Sequence, residues 1–330
     1  MIKDFNLPLV NAHCHAAMFP FRGMAEDLPL QEWLENHIWP IEKKEVNPEM
    51  VYNETKKAIQ EMKKNKIAFF VDMYSFSDQV AEAAIEENMP VMIGPVLVDS
   101  PHSYENFEQG IEIAENLLKE YQNHNLVKVS VAPHAIYTVS ANNLVKAKDL
   151  AREYNAIYQI HCAETKKELD DCLKNHNKTP VQYLDDLGIL DEKTLLAHCV
   201  WLNNQDIEIL SKKQVSVAHC PLSNLKLGSG IAPISKMIEK NVLICLGTDG
   251  PASSNRLDIW EAGKFATLIQ KGVNHNPSLL SVREVIKMMT VNGMKALGIN
   301  ELNGKTIAEW EIEIENQDFS YLYHLNSCQL

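Results

Sequence analysis

No stretch of the chain approaches the roughly 20 consecutive apolar residues that a membrane-spanning helix needs. The segment MIKDFNLPLVNAHCH holds no apolar run long enough for a signal peptide, because Asp4 interrupts it. Cysteines number seven, an odd count, and no CxxC pair occurs. That excludes a disulfide framework and a thiolate zinc cage, and it points to a reducing, cytoplasmic location. Positive charge is scarce: 31 Lys and Arg stand against 44 Asp and Glu, for a formal charge of −13. Such a balance repels a phosphate backbone, and no block of basic residues offsets it, so nucleic acid is not an expected partner. No HExxH helix and no HxE…PCxxC signature is present, which removes two common zinc-hydrolase designs. There is no Pro/Gly/Ser-rich linker and no low-complexity segment, so one main domain is expected.

What the chain does have is alternation. Short runs rich in Val, Ile, Leu and Phe recur between longer amphipathic stretches, the pattern of a parallel sheet wrapped in helices. The runs are Leu9–His13, Ile67–Met73, Pro90–Val96, Val127–Ala132, Ile157–His161, Thr194–His198, Val215–His219 and Val242–Gly247. Eight such runs in 330 residues predict an α/β fold of the (β/α)₈, or TIM, barrel type, which needs roughly 250 residues. Helices are expected at NPEMVYNETKKAIQEMKKN, with Asn47 as N-cap and Pro48 at the first helical position, at SANNLVKAKDLAREYN, with Ser140 as cap, and at NNQDIEILSKKQ. Beyond Gly298, TIAEWEIEIEN alternates polar and apolar residues, which predicts a peripheral strand.

Catalytic side chains of a parallel barrel come from the C-terminal ends of its strands. Run one ends in His13-Cys14-His15, whose two imidazoles share one face of an extended chain. His134 follows run four, His161 ends run five with Glu164 three residues on, and His198 ends run six. Asp249 follows run eight in Gly-Thr-Asp-Gly. Each alone reads most simply as a hydrogen-bonded core residue. Together they place five histidines and two carboxylates at one mouth. Nitrogen and carboxylate donors suit zinc, and also iron or nickel. His13, His15 and His161 would supply imidazoles and Asp249 the carboxylate, with Asp249 and Glu164 as acid–base groups. His219 ends run seven and is assigned to packing. His102, His124, His176, His275 and His324 fall off the strand ends and read as surface or loop residues. Cys14, Cys162, Cys199 and Cys220 each follow a histidine and are expected to face the outer helices.

At these residues the sequence resembles the amidohydrolase superfamily. The longer motifs RGMAEDLPLQEWLENHIWPIE, APHAIYTVS, HCAET, AHCVWL, SNLKLGSGIAPI and LGTDGPASSNRLDIWE resemble the methylthioadenosine/S-adenosylhomocysteine deaminases. The resemblance runs from about Leu9 to Ile299 and implies one divalent metal ion, zinc first and iron second, held by His13, His15, His161 and Asp249. It implies that a metal-activated hydroxide attacks C6 of an adenine ring and that Glu164 shuttles the proton to N1. It further implies that His198 orients the hydroxide, that Glu42 receives the ribose hydroxyls, and that His134 and Trp33 lie on the substrate side.

Two departures from the family follow. Its accessory β-sandwich is expected to be absent or reduced to a remnant, which divides the chain into a barrel, residues 1–299, and an extension, residues 300–330. Family recognition of homocysteine uses arginine, and this chain has none between Arg22 and Arg152. A planar guanidinium is the best clamp for a carboxylate. The expected nucleoside therefore carries an uncharged 5′ group, as in methylthioadenosine, 5′-deoxyadenosine or adenosine, unless Lys119 or Lys128 substitutes for arginine. A homo-oligomer is a further expectation. The alternatives are a hydrolase of a bare heterocycle (a chlorohydrolase, guanine deaminase or cyclic amidohydrolase) and a catalytically inactive nucleoside-binding protein.

Overall fold

The computed structural model describes residues 7–99 and 106–323. Eight parallel strands form the barrel: β1 (Leu9–Cys14), β2 (Ile67–Asp72), β3 (Val91–Ile93), β4 (Val127–Val129), β5 (Tyr158–Cys162), β6 (Thr194–His198), β7 (Ser216–His219) and β8 (Leu243–Leu246). They make two four-stranded sheets, β1-β2-β3-β4 and β8-β7-β6-β5. Parallel bridges from Val131 to Tyr158 and from Ala135 to His161 join the sheets on one side. On the other side the Asp249 N–H donates to the His13 carbonyl at 3.0 Å, and the Asn11 amide donates to Thr248 Oγ1 at 2.8 Å. All eight sequence runs thus become barrel strands. They read as nearly continuous apolar segments because both faces are covered; every residue of LVNAHC is buried.

The third and fourth strands are interrupted and resume as Val96–Leu97 and Ala132–Pro133, paired with each other. Gly94 lies in the first break. A Cβ there would fall 2.3 Å from the Gln159 side-chain nitrogen, so only glycine admits Gln159 to the interior. Such breaks re-aim the chain at a barrel rim, and here they carry the backbone toward His134.

The helix Pro48–Lys64 begins at Asn47, whose side chain accepts the Met50 N–H. Asn204–Lys212 begins at Asn203, in a reciprocal capping box with Asp206. Ser140 stands at the N-cap of Ala141–Glu153 but makes no capping bond with its side chain; its backbone N–H donates to Asp99 instead. One sequence expectation is overturned. TIAEWEIEIEN is not a strand: after a two-residue hairpin (Glu301–Leu302, Lys305–Thr306), Ile307–Asn316 is an α-helix. Thr306 and Glu309 form a capping box. The buried residues Trp310 and Ile314 stand one helical turn apart, while Ile312 is 63% exposed. The isoleucine–glutamate alternation matches a two-residue period by coincidence, and the cap and the i, i+4 stripe decide the outcome. No described helix is long and apolar enough to cross a membrane. His102 and His324 lie outside the described residues.

Candidate active site

Four donor atoms, one each from His13, His15, His161 and Asp249, lie within 4.8 Å of one another at the C-terminal mouth of the barrel. His161 Nε2 is 3.1 Å from His13 Nε2 and 3.4 Å from His15 Nε2. Asp249 Oδ1 is 3.1 Å from His15 Nε2 and 3.6 Å from His13 Nε2. Zinc–nitrogen bonds of ~2.0–2.1 Å put the ligand atoms of a tetrahedral ion ~3.3 Å apart. These four separations bracket that value and all the donor atoms lie within 4.8 Å of one another, so the donor set suits a small divalent ion in chemistry and is close enough to share one.

Three of the four donors are aimed from behind. His15 Nδ1 bonds the Met73 carbonyl at 2.6 Å, and His161 Nδ1 bonds the His134 carbonyl at 2.8 Å. A carbonyl only accepts, so each Nδ1 carries the hydrogen and each Nε2 is the atom turned toward the cluster. Ser223 and Ser253 hydroxyls donate to Asp249 Oδ2 at 2.5 and 2.7 Å, leaving Oδ1 for the histidines. Asp249 itself is in the left-handed region, φ 63°, as is His198 at φ 73°. Non-glycine residues held there cost of order 1–3 kcal/mol and cluster at functional sites. Strand eight approaches strand one closely at Gly247, where a Cβ would meet His13 Cβ at 2.9 Å.

Burial pushes His13 down to about 4, with Asp249 opposing. Burial acts the same way on His15, but the Asp249 carboxylate outweighs it and holds that imidazole up at about 9. Burial and the neighbouring imidazoles hold His161 well below its usual range.

The pocket above the cluster is lined by every remaining candidate from the sequence: Trp33, Glu42, His134, Glu164 and His198. Glu164 is 4% exposed. Its Oε2 is 3.7 Å from His198 Nε2, and its Oε1 makes no hydrogen bond. Burial raises its pKa above the usual carboxylate range, with the His198 charge opposing. His198 Nδ1 bonds Asn224 Oδ1 at 2.8 Å, and its ring stacks on His161 with centroids 5.4 Å apart. Glu42 accepts the Tyr74 hydroxyl at 2.5 Å; burial pushes its carboxyl up to about 7, against the Tyr74 bond. His134 Nδ1 bonds Thr138 Oγ1 at 2.9 Å, and burial with the nearby imidazoles lowers it to about 3. Trp33 is buried in the wall with Leu30, Leu34, Ile38 and Trp39.

That wall is a helical stretch with a π-helical turn, Leu34–Ile38, between Leu30–Trp33 and Trp39–Glu45. Pro40 lacks an N–H and crowds the preceding turn, and a widened turn accommodates it. His219 is buried at the end of β7 and does not line the pocket, in keeping with packing. Sequence reasoning missed Tyr74, Ser223, Asn224, Ser253 and Glu168. Ser223, Asn224 and Ser253 lie inside the motifs SNLKLGSGIAPI and LGTDGPASSNRLDIWE, but the bonds of Ser223 to Asp249 and of Asn224 to His198 are visible only once the strands are neighbours, and that of Ser253 only once the turn after Asp249 is folded.

Residues 8–306 match the amidohydrolase family. The chain belongs to that family. Among its relatives, this amidohydrolase is 42% identical over 293 residues to a 5-methylthioadenosine/S-adenosylhomocysteine deaminase of Thermodesulfovibrio yellowstonii, covering 88% of this chain and 67% of the relative. It is 40% identical over 292 residues to a 5′-deoxyadenosine deaminase of Methanothrix thermoacetophila, covering 88% and 69%. The amidohydrolase barrel also superposes on an adenosine deaminase from Xanthomonas campestris solved with bound zinc. The TM-score is 0.91 at 30% identity, over 97% of this chain and 76% of that one.

Proposed function

We propose that this amidohydrolase deaminates an adenosine-type nucleoside, replacing the C6 amine with oxygen from water and releasing ammonia and the inosine analogue. The observation that carries the reading is one pocket holding the His13, His15, His161 and Asp249 cluster, the buried Glu164, and Glu42. The names of relatives about 40% identical over most of the chain support it. A divalent ion held by the cluster supplies Lewis acidity, which makes water nucleophilic near neutral pH.

The chain's own residues do the rest. Glu164, with a raised pKa and Oε1 free of other bonds, takes one proton of the attacking water and delivers it to ring N1, then passes the remaining hydroxyl proton to the C6 amine, which leaves as ammonia. The ring then avoids a full negative charge as C6 becomes tetrahedral. His198, fixed by Asn224, orients the attacking oxygen. Glu42 receives ribose hydroxyls, and His134 contacts the nucleoside. Trp33 and its apolar neighbours exclude water. A ribose accounts for Glu42 and His134, which a bare heterocycle leaves without a role. We further place the protein in the cytoplasm, which the six cysteines among the described residues, all buried and unpaired, favour.

The 5′ group we propose is uncharged. The described residues lining the pocket include no lysine or arginine. Lys119 pairs with Glu115 on an outer helix, and Lys128 is exposed on β4; neither reaches the pocket. A panel of 5′-substituted adenosines, assayed by ammonia release, tests this. Methylthioadenosine and 5′-deoxyadenosine should exceed S-adenosylhomocysteine in kcat/KM by at least about tenfold, because a zwitterionic tail would enter with no cation of the protein to meet its carboxylate. The opposite order overturns the uncharged tail, and no ammonia from any of them overturns the deaminase reading.

A further inference from the structure

We propose that Glu168 is the positioning residue that holds Glu164 at the reacting centre. The inference rests on the reading of Glu164 as the proton shuttle. Glu168 is 3% exposed and does not line the nucleoside pocket. Its Oε1 accepts the Ala163 N–H at 2.9 Å, and its Oε2 accepts the Glu164 N–H at 2.8 Å. Both carboxylate oxygens are therefore bound to consecutive amides of the loop that leaves β5 and carries Glu164.

An ordinary helix cap does not explain this. Glu168 is the third residue of the helix Lys166–His176, whose N-cap is Thr165. In a capping box the third-position side chain reaches back to the N–H of the cap residue itself. Here it passes Thr165 and grips the two residues before it. Thr165 Oγ1 in turn accepts the Glu168 N–H at 3.1 Å, which fixes the root of the clamp. The gripped loop needs holding: Ala163 has φ 51°, in the left-handed region that a side chain disfavours. Glu164 Oε1 has no hydrogen bond of its own to fix it, so the aim of its carboxyl depends on where its backbone is held.

The test uses metal-loaded protein with methylthioadenosine and the variants Glu164→Gln, Glu168→Gln and the double. Glu168→Gln keeps the shape but turns an amide group toward one N–H. The expected loss is about 10- to 100-fold in kcat, with KM within about twofold and metal content unchanged. In the Glu164→Gln background the same change should cost nothing further, because the group being aimed is already gone. Equal losses in both backgrounds, or a KM rise that accounts for the loss, overturn the clamp. Wild-type turnover by Glu164→Gln overturns the underlying reading instead. Should Glu168→Gln fail to fold, hydrogen exchange on the wild-type protein decides: slow exchange at the Ala163 and Glu164 amides supports the clamp, and exchange as fast as in exposed loops overturns it.

Discussion

His15 Nε2 lies 3.1 Å from Asp249 Oδ1, although the two residues belong to opposite ends of the barrel sequence. The seam between β1 and β8 makes them neighbours, with the Asp249 N–H bonded to the His13 carbonyl. Closing the barrel and completing the donor cluster are therefore one event. Loss of the ion should act on both. Dialysis against a chelator is expected to abolish deamination and lower the melting temperature, since a ligand that binds only the folded state stabilises it. Zinc or ferrous iron should restore both. His161→Ala should prevent restoration, as read by metal content after gel filtration.

Replacing Glu164 separates chemistry from binding. Glu164→Gln is expected to retain metal and nucleoside affinity while kcat falls about 10²–10⁴-fold, the usual worth of a positioned acid–base group. Ammonia release under single-turnover conditions measures it.

Asp249 is steered by two hydroxyls, that of Ser223 behind the pocket and that of Ser253 in its lining. Removing both, Ser223→Ala with Ser253→Ala, frees Oδ2 and should weaken zinc binding about 10- to 100-fold. Competition with a chromogenic chelator reads the change, and an unaltered affinity contradicts the steering role.

The pH dependence of KM follows from Glu42. Its carboxyl titrates at about 7 because burial outweighs the Tyr74 bond. On the proposed role of Glu42, the protonated group below that value would lose an acceptor for ribose hydroxyls, and above it both oxygens would accept. KM should therefore fall as pH rises through about 7. With Glu42→Gln, or with a dideoxyribose substrate, that limb should be flat.

The C-terminal helix is part of the fold. Trp310 is 2% exposed and donates its indole N–H to the Leu302 carbonyl at 3.0 Å. Trp310→Ala should cost about 3–5 kcal/mol of stability, and Thr306→Ala about 1 kcal/mol through the lost cap. Denaturant titration measures both.

The barrel was legible because a strand buried on both faces writes itself as an apolar run, and the site was legible because its polar residues end those runs. His13, His15, His161 and Asp249 are conspicuous against that apolar background. Their supports are not. Tyr74 opposite Glu42, Asn224 behind His198 and Ser223 behind Asp249 are ordinary polar residues whose meaning comes from another element brought alongside. Glu168 looks like a common first-turn glutamate until its partners are seen. Ile307–Asn316 misleads for another reason: alternating isoleucine and glutamate satisfies two periods, and only the packing of Trp310 and Ile314 chooses between them.

The division of labour along the chain has an evolutionary consequence. The hydrolytic apparatus is distributed over β1, β5, β6 and the turn after β8, so no single insertion can alter it without disturbing the barrel. Six of the residues that line the pocket come from one contiguous piece, Leu30 to Glu45, with its widened turn. A drift in that short piece changes which molecules are admitted while leaving the bond-breaking equipment untouched, and it offers a compact target for redirecting the enzyme to a new amine.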